Sequence, residues 1–154
     1  MTMDADQILV ELAVAAVWET RRDGLWVEAP GLDVTAMARL MRGIEARWVT
    51  LTVSGAPGGG FRLIYHWDLE GQLLNIVTFS VGPRVTSVAD IWPAAEWVER
   101  EVRDYYALEF EGRHDTPALM LRPGDEPGLF SRTHDLGRDA DPADADRTDT
   151  GGDS

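Results

Sequence analysis

Three carboxylates close together in one stretch are the residues of this sequence best placed to do chemistry: Glu99, Glu101 and Asp104. Two carboxylates can serve as general acid and general base when their surroundings separate their pKa values, so the set predicts a hydrolase as one alternative. On a helix that also carries arginines, the same residue types more often form a solvated ladder of charge. The residues alone leave both alternatives open.

Arginines are interleaved with these acids at helical spacing. Three pairs of opposite charge are each four residues apart: Glu96 with Arg100, Glu99 with Arg103, and Arg100 with Asp104. Because that spacing brings side chains together on a helix, we predict that Arg100 is a hub that bridges Glu96 and Asp104. Such a pair contributes about 0–1 kcal/mol on an exposed face, whereas under a partner subunit it would hold buried carboxylates in place.

A second pattern on the same helix places acids beside large apolar groups. Trp97, Glu101, Asp104 and Leu108 fall on one stripe. A carboxylate in such surroundings needs a cationic or N–H partner, because its desolvation is otherwise costly. An arginine from this chain or from another subunit could supply that partner.

Other candidate sites are only weakly indicated. The glycine-rich loop 54–60 is followed by no helix and no lysine, which disfavours phosphate binding. His66 stands alone in a strand, so a surface or hydrogen-bonded histidine is favoured over a metal ligand. His114 and His134 lie among acids, where metal binding is the less favoured alternative. We predict no catalytic, cofactor-binding or metal-binding residue in this chain.

The elements that position the carboxylates follow from periodicity. Pro93 suits the first position of a helix that runs to Tyr106, and an extended stretch follows until Gly112. Ser87 and Asp90 resemble a capping box before it. The helix has an apolar face made of Val98, Val102, Tyr105 and Tyr106.

The earlier part of the chain alternates helices and strands. Residues 14–20 fit a helix or a strand, and the turn Arg22-Asp23-Gly24 favours a strand that forms a hairpin with 25–28. The other elements are helix 4–13, helix 34–45 capped by Asp33, and strands 48–53, 61–67 and 73–81. The order α-β-β-α-β-β-β-α predicts an α+β two-layer domain, with a mixed, mainly antiparallel sheet and helices on one side.

Composition sets the domain limits and excludes several function classes. Residues 1–112 form the predicted domain, 113–131 an extended partner-docking or loosely packed segment, and 132–154 an acidic tail that we expect to be disordered. Cysteine is absent, which excludes disulfides and cysteine-held zinc or iron–sulfur sites. All 14 cationic residues are arginine, which excludes lysine-based catalysis. The net charge of −13 disfavours nucleic acid and anionic lipid as partners.

The segment from Ile91 to Asp104, I-W-P-A-A-E-W-V-E-R-E-V-R-D, resembles the signature of the 30-kDa subunit of respiratory complex I. In bacteria this is the C subunit of NADH:quinone oxidoreductase, and the domain also occurs in energy-converting membrane-bound nickel–iron hydrogenases. Arg113-His114 stands where the family has His-Pro, and the closing segment of the respiratory protein is not found. The residues that carry the resemblance, and that it implies dock a partner subunit, are Trp92, Pro93, Trp97, Glu99, Arg100, Glu101, Asp104 and Gly112.

The resemblance implies a non-catalytic subunit that binds no redox centre of its own. It implies docking on a large subunit similar to that of the hydrogenases, next to a small subunit with the terminal iron–sulfur cluster, and electron transfer to quinone or to protons. No run of about 20 apolar residues is found, and we expect a cytoplasmic protein held at the inner face of the membrane by its complex. The shortened C-terminus favours a hydrogenase-like assembly, and an adaptor of the same fold outside any redox complex is the alternative.

Overall fold

The computed structural model describes residues 3–113 and 116–130 of the chain. The helices in that part are α1 (Ala5–Glu11), α2 (Val34–Gly43) and α3 (Ala95–Tyr106). The strands are β1 (Glu19–Arg21), β2 (Gly24–Glu28), β3 (Arg47–Gly55), β4 (Phe61–Leu69), β5 (Gln72–Ser80), β6 (Arg84–Thr86) and β7 (Glu109–Glu111). The predicted α+β fold is confirmed, with β6 and β7 added to the predicted order.

The main sheet has the strand order β1-β2-β5-β4-β3 among the described residues. Its neighbours are antiparallel except β2 and β5, which run parallel with Leu25 opposite Leu74. The hairpin of β1 and β2 turns at the predicted residues, before Gly24. A separate pair, β6 and β7, is parallel and connects the entry and the exit of α3.

The core lies between the sheet and the helices. Alternate residues of β4, Leu63, Tyr65 and Trp67, are at most 1% exposed and face the same cluster as Leu74 and Ile76 of β5. Each helix contributes to that cluster, through residues such as Ile8, Met37, Met41, Ala95 and Val102. One face of the sheet therefore carries the helices, as period-two alternation in the strands requires.

Helix α2 begins as predicted, but its buried face differs from the prediction. The Asp33 carboxylate accepts hydrogen bonds from the N–H groups of Thr35 and Ala36, both at 2.9 Å. Apolar spacing predicts that four residues of this helix face the core: Ala36, Leu40, Met41 and Ile44. Met41 is buried and Leu40 and Ile44 pack against the core, whereas Ala36 is exposed, so the prediction is wrong for Ala36. The buried face also includes Val34, Met37 and Ala38.

The start of α3 is fixed by the core rather than by a side-chain cap. The N-cap residue is Ala94, and no side chain caps it. The Trp92 indole donates to the Ala38 carbonyl at 2.9 Å and contacts Trp67 with ring centroids 5.2 Å apart. The predicted capping box is wrong, because Asp90 points to solvent with a 96% exposed side chain. Packing of Trp92 against α2 therefore sets the position of the helix.

Candidate functional site

Glu99 is a buried carboxylate that holds the segment leading into α3. Its side chain is 3% exposed, and it accepts hydrogen bonds from the Ser87 hydroxyl at 2.6 Å and the Val88 N–H at 2.9 Å. Burial raises the pKa of Glu99, and the two hydrogen bonds and the Arg113 charge oppose that rise. Glu99 therefore links α3 to the end of β6.

Two arginines of α3 bind the chain that follows the domain, which we call the strap (residues 116–130). Arg100 donates from Nε to the Pro117 carbonyl at 2.9 Å and from Nη2 to the Ala118 carbonyl at 3.2 Å. Arg103 donates from Nη1 to the Thr116 carbonyl at 2.7 Å and to its hydroxyl at 2.9 Å. Both guanidinium groups are thus engaged with strap acceptors.

Asp104 completes this contact from the next position on the helix. Its side chain is fully buried, and Oδ2 accepts from the N–H groups of Leu119 at 2.6 Å and Met120 at 2.7 Å. Its Oδ1 atom lies 3.6 Å from Arg103 Nη2. We call Arg100, Arg103 and Asp104 the clasp, since together they bind the main chain of every residue from 116 to 120.

The far end of the strap is held by aromatic packing and one backbone bond. The Gly128 N–H donates to the Asp104 carbonyl at 2.8 Å. The Phe130 ring stacks on Tyr105 with centroids 4.4 Å apart and meets Tyr106 edge-on at 5.4 Å. The strap therefore follows α3 along the same side as the clasp.

The outer side of α3 carries Trp97 and Glu101. Trp97 is 65% exposed, and the Arg100 guanidinium carbon lies 5.9 Å from the centre of its ring. Glu101 is half-buried and makes no hydrogen bond or ion pair with any residue that the structure describes. Met120 of the strap, 52% exposed, has its backbone bound to Asp104 on the same side.

A small polar cleft lies beneath the clasp. It has a volume of about 10 Å³ and is lined by Glu96, Glu99, Arg100, Arg103, Phe110, Arg113 and Thr116. The Arg113 guanidinium is 3.7 Å from Asp90 and 4.0 Å from Glu96. A space of this size holds about one water molecule, so it is too small for a substrate.

The predicted role of Arg100 as an ionic hub is wrong. It forms no ion pair within 4.0 Å with Glu96 or Asp104, although all three residues are described. Asp104 Oδ2 instead accepts hydrogen bonds from two strap amides, and the planar guanidinium of Arg100 reaches two adjacent carbonyls. The other predicted pair, Glu99 with Arg103, is also missing, since both side chains have nearer partners.

The remaining predicted site residues lie apart from the clasp. Trp92 packs against the core, Pro93 is exposed just before the helix, and Gly112 follows β7 with φ of +89°, which favours glycine. Sequence reasoning missed the contacts made by Ser87, Arg103 and Arg113. The apolar run 118–121 indicated a docking segment but not that it docks on α3 of this chain.

The three carboxylates that suggested hydrolysis do not share a cleft. Glu99 and Asp104 are each committed to hydrogen bonds from this chain, and Glu101 lies on the outer side. His66 is hydrogen-bonded to Thr52 at 2.9 Å and to Asn75 at 2.6 Å. In the described residues, no cluster of three or more histidine and acidic side chains could hold a metal ion, and no helix is long and apolar enough to cross a membrane.

Comparison with known sequences identifies relatives of the region that contains α3. The family model for the respiratory-chain NADH dehydrogenase 30 Kd subunit matches residues 27–135. The C/D subunit of NADH-quinone oxidoreductase from Rhodopseudomonas palustris is 36% identical over 73 residues, which cover 45% of this chain and 13% of the relative. The C subunit of the same enzyme from Thiobacillus denitrificans is 61% identical over 42 residues, 27% of this chain and 21% of the relative. Each match thus spans a minor part of the relative's length.

Comparison with solved structures extends the similarity over most of the chain. A chain of the membrane-bound sulfane sulfur reductase, an archaeal respiratory membrane complex, matches with a TM-score of 0.66 and 26% identity, over 97% of this chain and 95% of that one. A trypsin-resistant fragment of Nqo5 matches with a TM-score of 0.56 and 23% identity, over 74% of this chain and all of the fragment. The second match is a likeness of fold alone.

Proposed function

Because this chain belongs to the family of the respiratory-chain NADH dehydrogenase 30-kDa subunit, we propose that it is a non-catalytic subunit in the peripheral arm of a complex-I-like membrane complex. The observation that carries this proposal is the match along 97% of the chain to a chain of an archaeal respiratory membrane complex.

The partners that fit this role are a hydrogenase-like large subunit and an adjacent iron–sulfur small subunit. The chain has no cysteine with which to bind a cluster itself, so in this proposal the redox centres belong to the other subunits. This chain would position the large subunit while electrons pass to quinone or to protons. The complex would hold it at the cytoplasmic face of the membrane.

Purification from the native cell tests this proposal. The full chain, tagged and expressed at its natural level, is expected to co-purify from detergent-solubilised membranes with the large and small subunits. Deleting it should abolish electron transfer by isolated membranes, with NADH and then hydrogen supplied as donors to separate the respiratory type from the hydrogenase type. Recovery of the chain without redox subunits would contradict the proposal and favour an adaptor outside such a complex.

A further inference from the structure

One charged residue of the signature segment has no partner in the part of the chain that the structure describes. Glu99 and Asp104 accept hydrogen bonds, and the arginines of the clasp donate them. Glu101 does neither, although it is half-buried rather than fully solvated. A carboxylate placed beside apolar groups gains from a cationic partner, and the described part of this chain does not provide one.

Trp97 lies one helical turn before Glu101 on the outer side of α3. The four-residue spacing places the two side chains next to each other, about 6 Å apart along the helix axis. Trp97 is 65% exposed, and an indole is the side chain that attracts a cation over its ring most strongly. An exposed ring beside an unpaired carboxylate is suited to bind an arginine or lysine side chain of another molecule.

The strap enlarges this surface. Met120 is 52% exposed, and its N–H is held by Asp104, seven residues after Trp97 and therefore on the same side of the helix. The clasp beneath fixes both the helix and the strap. The outer surface thus places apolar groups of two segments beside one negative charge.

From this arrangement we infer that Trp97 and Glu101 form an anchor site for a basic side chain of the partner subunit that covers α3. The inference rests on the proposed function, since it assumes such a partner. Charge supports the choice of a basic occupant, because the chain carries a net charge of −13 and would attract a basic surface. Aromatic residues that bind arginine are common anchors in subunit interfaces.

The test compares binding of the full-length protein variants to the purified large subunit. Glu101→Gln removes the charge with little change of shape, and Trp97→Ala removes the ring. Each variant is expected to weaken binding by about tenfold or more. The Glu101→Gln complex should also depend less steeply on salt than the wild-type complex, since an ion pair is lost. Melting temperatures of both variants should match the wild type because both side chains lie on the outer side of the helix.

Two matched controls come from other parts of the surface. Glu11→Gln removes an exposed acid of α1, and Val81→Ala removes an apolar side chain that is fully exposed. Both should bind like the wild type. Wild-type affinity of Glu101→Gln and Trp97→Ala, or equal weakening by the controls, would overturn the anchor site while leaving the proposed function in place. Failure of the wild-type protein to bind the large subunit at all would instead contradict the proposed function, and the anchor site with it.

Discussion

The buried carboxylates of α3 differ from the half-buried Glu101 in the partners that this chain gives them. Glu99 and Asp104 are 3% and 0% exposed, and each accepts two hydrogen bonds from this chain. On the outer side, Glu101 has no such partner among the described residues, and the neighbouring Trp97 is 65% exposed. A buried charge in this helix is therefore matched by nearby donors, whereas the charge on the outer side is not matched within the described chain.

The contrast also separates two roles of a single signature. The buried carboxylates and the arginines of the clasp determine where the protein's own segments lie. Glu101 makes no such contact within the described residues, and Trp97 is largely exposed, so both are available to another molecule. Substitutions in these two sets of residues should therefore have different effects, and the following experiments measure that difference.

The largest effect on stability is expected for Asp104→Ala. It removes the acceptor of two strap amides and leaves Arg103 without its nearest carboxylate, so unfolding should require about 3–5 kcal/mol less free energy. Urea unfolding monitored by tryptophan fluorescence measures the change. The matched variant is Glu101→Ala on the outer side, which should remain within about 0.5 kcal/mol of the wild type. Equal losses of unfolding free energy in the two variants would contradict the distinction between the buried carboxylates and Glu101.

A smaller loss is expected for Arg100→Ala. Two hydrogen bonds from a charged donor to strap carbonyls disappear, at a cost of about 1.5 kcal/mol, and the carbonyls can then bind water. Hydrogen exchange should become faster at the amides of Leu119 and Met120, because the strap next to them is released. Arg22→Ala, at the exposed turn between β1 and β2, is the control and should leave both measurements unchanged. Unaltered exchange in Arg100→Ala would show that Arg100 does not hold the strap.

The smallest effect concerns the pH dependence contributed by Glu99. Burial raises its pKa in the folded protein above the ordinary value of 4.5, so the folded state binds more protons than the unfolded state just above that pH. Stability from this group is then complete at lower pH and is lost as the pH rises through the raised pKa. As the pH rises above about 4.5, the unfolding free energy of the wild type should therefore fall relative to that of Glu99→Gln. A difference that stays constant with pH would mean that the Glu99 pKa is not raised.

Local patterns in the sequence were sufficient to predict the fold. They were not sufficient to predict which groups the charged residues of α3 bind. The hairpins, the Asp33 cap and the helix that ends at Tyr106 follow from short-range spacing, and the structure has each of them. The stripe of Trp97, Glu101, Asp104 and Leu108 indicated that acids beside apolar groups need partners, and Asp104 has them, whereas Glu101 has none among the described residues. It could not show that Asp104 finds them at residues 119 and 120, since that contact depends on how the chain returns to α3.

The error about Arg100 has the same physical origin. Spacing along a helix identifies the charges that are able to meet, but backbone groups of a returning segment compete for them. The Arg100 guanidinium instead donates to two adjacent carbonyls, which lie 17 and 18 residues further along the chain. The predicted tail 132–154 lies outside the described residues.

The clasp binds residues 117 to 120 of the strap only through their main chain, and this has a consequence for how that part of the sequence can vary. Side chains at 118, 119 and 120 can change without loss of any clasp contact, because the clasp binds carbonyls and amides. Proline is the exception. It fits at 117, where it already stands and only the carbonyl is used, but at 119 or 120 it would remove an N–H that Asp104 needs. Homologous straps should therefore vary freely in the side chains at 118 to 120 while excluding proline from positions 119 and 120.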